Sequence, residues 1–76
     1  MSKAQDMIDG LGGADNIDEI EGCITRLRTD VKDASLVDEK ALKAAGATAV
    51  VTVGTSVQVI VGTIADSLAE DIQDLL

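Results

Sequence analysis

Apolar positions along this chain switch between two spacings, and the switches mark its elements. Ala4, Met7, Ile8 and Leu11 recur at helical intervals, Ser2 can cap the first turn and Gly12-Gly13 stops the run. A helix is therefore predicted over 2–11. Ala14-Asp15-Asn16 reads as a turn. From Thr25 the spacing falls to two: Thr25, Leu27, Thr29 and Val31 share one parity, and Arg26, Arg28, Asp30 and Lys32 the other. Alternate side chains of a strand point the same way, so both guanidinium groups stand on its polar face. Residues 17–21 are predicted as the neighbouring strand, although Ile17 and Ile20 break strict alternation, and 22–24 as the turn, with Cys23 at its tip.

The second half repeats the scheme. Residues 32–37 connect to a helix over 39–45, capped by Asp38, turning Leu42 and Ala45 inward and ending at Gly46. Residues 49–53 and 57–61 are β-branched runs around Gly54-Thr55-Ser56, a second hairpin, with Gln58 on the face opposite Val57, Val59 and Val61. A last helix over 65–75 has Ile64 or Ala65, Leu68, Ile72 and Leu75 as its apolar stripe; Asp66, Glu70, Asp71 and Asp74 give it a solvated acidic face. Helix, hairpin, helix, hairpin, helix implies an α+β fold: a four-stranded antiparallel sheet of two hairpins with three helices packed on one face. One domain is expected over 1–76. Residues 44–65 carry no charge over a membrane-like length, but Gly46, Gly54 and Gly62 and the β-branched runs favour the hairpin over a membrane span.

Composition narrows the chemistry. There is no Phe, Tyr or Trp, so aliphatic residues and two Met must make the core, and a hydrophobic content of 46% suffices. A net charge of −8 argues against nucleic acid and anionic membrane surfaces as partners. One cysteine cannot form an internal disulfide, and without histidine there is no zinc ligand set, so no metal or cofactor is expected. Residues 1–11 lack the basic and apolar regions of a secretory signal.

The candidate centre is Cys23 with Arg26 and Arg28. Fixed cations beside a thiol favour its ionised form and receive phosphate oxygens. A free cysteine is ordinarily a small buried hydrophobe. Here Gly22 before it, the turn around it and the basic residues after it favour a nucleophile. Two readings of the arginines stand. They pair with Asp18, Glu19 or Asp30 as surface ion pairs of little consequence, or they form a fork for phosphate, closed by the backbone amides of Ile24, Thr25 and Arg26. Gln58 shares their face, as a neutral donor to the same anion or as a solvated side chain. Thr25 either fills space or offers its hydroxyl and amide to the anion. Cys-x4-Arg is one residue short of the Cys-x5-Arg loop of cysteine phosphatases, and no Walker or dinucleotide fingerprint is present.

Taken together, residues 11–17 (Leu-Gly-Gly-Ala-Asp-Asn-Ile) and 22–28 (Gly-Cys-Ile-Thr-Arg-Leu-Arg) resemble the enzyme IIB domain of the glucose/N-acetylglucosamine branch of the bacterial sugar phosphotransferase system. Val37-Asp38, residues 42–47 and residues 57–62 extend the likeness over nearly the whole chain from residue 8. Gln58 followed by Val-Ile-Val-Gly is nearer the N-acetylglucosamine members. The family's acidic-Ala-Cys stands here as Glu21-Gly22-Cys23, which should loosen the turn without removing the thiol.

The resemblance implies a cytoplasmic phosphoryl carrier, or one held at the cytoplasmic face through its permease. Cys23 would accept phosphate from a IIA phosphohistidine and pass it to a sugar held by membrane IIC. It also implies that Arg26 and Arg28 serve transfer, that Ile24, Thr25 and Gln58 contact the phosphate, and that the domain is monomeric, uses no cofactor and does not itself enter the membrane. Two readings from other classes stay open: a non-catalytic acidic interaction module in which Cys23 is structural, and a thiol redox sensor.

Overall fold

Polar caps fix where the first two helices begin. The Ser2 hydroxyl accepts from the Gln5 amide and starts α1 (Lys3–Gly10), and the Asp38 carboxylate accepts from the Ala41 amide and starts α2 (Glu39–Ala44). A computed structural model describes residues 2–76. After α1, the Gly13 amide donates to the Ile8 carbonyl at 2.9 Å with Gly12 at φ 102°, a closure that ends the helix where the glycine pair predicts. The strands are β1 (Ile17–Cys23), β2 (Arg26–Val31), β3 (Ala49–Val53) and β4 (Ser56–Ile60), and α3 (Ala65–Leu75) closes the chain.

All neighbouring strands are antiparallel, in the order β1-β2-β4-β3. The fold is the expected one. Leu27, Thr29 and Val31 of β2 and Val57 and Val59 of β4 are buried beneath the helices, with Met7, Ile8, Leu11, Leu42 and Ile72 packed onto them. Burying a side chain of this size contributes about 1.5–3 kcal/mol. Among the described residues, nothing covers the other face of the sheet. The charge-free stretch 44–65 makes the hairpin, and among the described residues no helix is long and apolar enough to cross a membrane.

Four details depart from the sequence reading. Ile17 pairs with Val31 but Glu19 with Asp30, so Asp18 is an extra residue in a bulge. That bulge lets Ile17 and Ile20 both face the core despite their spacing of three. The first turn is Ile24-Thr25 rather than 22–24, because Gly22 and Cys23 stay in the ladder opposite Leu27 and Arg26. Cys23 is thus the last residue of β1, beside the tip and not on it. The second turn is likewise two residues, Gly54-Thr55, with Ser56 already in β4. On α3 the buried stripe is Ala65, Leu68, Ala69 and Ile72; Ile64 and Leu75 lie on the shoulder facing α1's first turn, and Leu75 is 51% exposed.

Asn16, assigned only to a turn, is a buried hub. Its amide donates to the Leu11 carbonyl at 2.7 Å and the Asp33 carbonyl at 3.0 Å, and its oxygen accepts from the Asp33 amide at 2.9 Å. It ties the end of α1 to the exit of β2.

Candidate functional site

Cross-strand partners in an antiparallel ladder share a face. Register therefore decides what surrounds the sulfur. Cys23 is opposite Arg26, and Arg28 is flanked by Glu21 on one side and Gln58 on the other. Counting parity straight through the turn would have placed Cys23 with Leu27 in the core. The two-residue turn instead brings it onto the open face with both arginines, where it is half-buried.

The six predicted site residues, Cys23, Ile24, Thr25, Arg26, Arg28 and Gln58, together line one recess of about 480 Å³. Both arginines are exposed and Gln58 is half-buried. Arg26 Nη1 donates to Gln58 Oε1 at 2.6 Å, which leaves the amide nitrogen of Gln58 to donate elsewhere. Neither arginine joins an ion pair among the described residues; the single pair there is Lys32 with Asp18 at 3.8 Å, both exposed. The surface-pair reading of Arg26 and Arg28 therefore has no partner. Two guanidinium groups and a thiol in an open recess suit a phosphoryl group, because the guanidinium forks match its oxygens.

The turn is the strained part of the site. Ile24 has φ 58°, a left-handed conformation in which a β-branched residue is an outlier, and its side chain is 81% exposed. The amides of Val61 and Gly62 both donate to the Thr25 carbonyl at 3.0 Å, so that oxygen faces the segment leading into α3. The hydrophobic pattern put Val61 on one face of the second hairpin with Val57 and Val59 and gave neither it nor Gly62 a part in the site. The signal was a glycine directly after a β-branched run, and Gly62 has φ 79°.

Gly22 lies in β1 rather than in the turn, and there it makes room for α3. A methyl group there would lie 2.8 Å from Asp66 Cα and 2.9 Å from the Ala65 carbonyl oxygen. Only a residue without Cβ lets the first turn of α3 sit this close to the thiol-bearing strand. At the other end of α3, Gln73 Nε2 donates to the Ile20 carbonyl at 2.7 Å, so the helix braces β1 along its length.

A family model described as phosphotransferase system, EIIB, matches residues 5–38. The N-acetylglucosamine-specific EIIB component of Streptomyces coelicolor is 63% identical over 75 residues, 99% of this chain and 97% of that protein. The N-acetylglucosamine-specific EIICB component of Bacillus subtilis is 52% identical over 68 residues, 88% of this chain but 15% of that longer protein. Among solved structures, one domain of the PTS system IIabc component from Clostridium difficile superposes with a TM-score of 0.80 at 28% sequence identity, covering 97% of this chain and 78% of that one.

Proposed function

The chain belongs to the EIIB family of the phosphotransferase system, and on that premise we propose that Cys23 carries a phosphoryl group from an EIIA phosphohistidine to a sugar held by a membrane EIIC. The observation that carries the reading is the shared recess, in which Cys23 lies opposite Arg26 and beside Arg28 and Gln58.

In the first step the Cys23 thiolate attacks phosphorus, an S–P bond forms, and the P–N bond to imidazole breaks with its electron pair left on nitrogen. In the second a sugar hydroxyl oxygen attacks the same phosphorus, the S–P bond breaks, and the thiolate is regenerated while the hydroxyl proton passes to a base on the permease side. Such a transfer needs little covalent machinery beyond alignment and positive potential around three spreading oxygens. Arg26 and Arg28 supply that potential, and the turn amides from Ile24 to Arg26 with the Gln58 amide supply neutral donors. With no histidine in the chain, the usual base for activating water is missing, which favours relay over hydrolysis.

The sugar served is N-acetylglucosamine rather than glucose, a choice supported by the specificity of both named relatives. The carrier acts as one monomeric domain over residues 1–76 on the cytoplasmic side. Incubation with phosphoenolpyruvate, the general phosphotransferase proteins and a cognate EIIA should add one phosphate to the intact mass, and Cys23→Ser should abolish the gain. No gain in the parent, with Cys23 inert to alkylation in the folded protein, would leave a structural module. Sulfenylation without phosphate uptake would leave a redox sensor.

A further inference from the structure

We propose that Gly62 is a positioning residue for phosphoryl transfer: together with Val61 it grips the Thr25 carbonyl and so holds the Ile24-Thr25 turn, and Cys23 beside it, in the geometry that receives phosphate. The proposal rests on the carrier reading above.

Three observations carry it. First, Ile24 sits at φ 58°, where an isoleucine does not remain unaided. Its side chain is 81% exposed, so core burial of that side chain does not hold it there. Second, what does hold the turn is backbone. Beyond the last ladder pair, Cys23 with Arg26, the Val61 and Gly62 amides converge on the Thr25 carbonyl at 3.0 Å each. Third, the chain passes from those two amides into the short helical turn before α3 through Gly62 at φ 79°, a conformation glycine adopts freely and other L-residues rarely. The grip is anchored rather than loose, because Gly62 opens the short helical turn that runs into α3, and α3 lies directly on Gly22. Strained backbone over-determined by its surroundings is a feature of sites that need a fixed geometry before the reactant arrives.

Gly62 also offers a clean probe. A Cβ there would meet nothing within 4 Å, so a substitution perturbs only the backbone preference and adds no clash. Alanine disfavours the required φ, whereas asparagine tolerates it several-fold better than other residues with a side chain.

The experiment measures phosphate transfer from phosphorylated EIIA to the full chain in the parent, Gly62→Ala and Gly62→Asn, with hydrogen exchange of the Val61 and Gly62 amides followed in the same three proteins. Gly62→Ala should lower kcat about tenfold, the rate equivalent of about 1.4 kcal/mol, with KM for EIIA unchanged. Exchange at both amides should quicken in parallel, and Gly62→Asn should recover most of both losses. Transfer by Gly62→Ala at the parent's rate would overturn the proposal. So would equal slowing by Ala and Asn, which would mean that any side chain is harmful there, or slowing with amide protection unchanged. A parent that takes no phosphate overturns the carrier reading itself, and that result appears before any variant is compared.

Discussion

Replacing Gly22 with alanine sets two opposed effects against each other at one methyl group. In the unfolded chain alanine has less freedom to lose, which on its own would stabilise the protein by roughly 0.4–1 kcal/mol. In the folded chain the methyl would stand 2.6 Å from Asp66 Oδ1, 2.8 Å from Asp66 Cα and 2.9 Å from the Ala65 carbonyl oxygen. The carboxylate can swing aside; the two backbone atoms cannot move without lifting the first turn of α3 off β1. Overpacking of that kind costs about 1–3 kcal/mol, so the net expectation is a loss of about 1–2 kcal/mol. For a domain of this size each kcal/mol shifts Tm by about 4–8 °C, and thermal melts followed by circular dichroism read the difference easily. The double variant Gly22→Ala/Asp66→Ala should keep most of the loss, because it removes only the flexible contact. An alanine variant that melts at or above the parent's temperature would show that α3 yields without cost and would refute the argument that Gly22 is there to let the helix approach.

Other consequences are equally open to measurement. Thr29 is buried, and its Oγ1 has no hydrogen-bond partner among the described residues; Thr29→Val should stabilise the protein by about 1 kcal/mol, read as a higher urea midpoint. The Ser35 hydroxyl, at 2.6 Å, and then the Ser35 amide hold the Asp33 carboxyl below the ordinary carboxylate range. A lowered folded-state value stabilises above the unfolded value and is lost as pH falls through the folded one, so Ser35→Ala should raise the Asp33 titration midpoint by NMR and flatten the acid limb of stability. Gln58→Glu keeps an acceptor for Arg26 but places a negative charge by the phosphoryl group; at about 6 Å and an effective dielectric of 20–80 this costs about 1–3 kcal/mol. Phosphate acceptance timed by rapid quench should slow about fivefold or more, and an unchanged rate would remove Gln58 from the site.

The fold was legible because each element had a pattern long enough to read. Helical spacing at Ala4, Met7, Ile8 and Leu11 and parity at Leu27, Thr29 and Val31 each placed a buried face correctly. What escaped was set by single residues whose signal is geometric rather than periodic. Asp18 shifts the register by one and so rescues an alternation that looked broken. Ile24 takes a conformation its side chain disfavours, so a turn was expected one residue or more too early. The site residues themselves were legible as types, a thiol followed by two arginines, and the face that joins them follows from the ladder. The contacts that hold their turn were not, because Val61 and Gly62 act through backbone amides and any sequence supplies amides.

On the carrier reading, the openness of the recess is part of how it works. A site that hydrolysed phosphate would gain from burial, since a dry interior strengthens each charge contact several-fold. A relay has the opposite need, because what binds the phosphoryl group too firmly also slows its departure. Here both arginines are exposed, so water screens them, and Arg26 already spends one N–H on Gln58 at 2.6 Å. Glu21 faces Arg28 across the ladder, and Glu19 and Asp30 follow on the same face. An incoming phosphate therefore meets one uncommitted guanidinium, one that must trade a hydrogen bond, and a rim of carboxylates in a chain of net charge −8. On that reading the exposed guanidinium groups align the phosphoryl group over the sulfur without holding it as a buried site would.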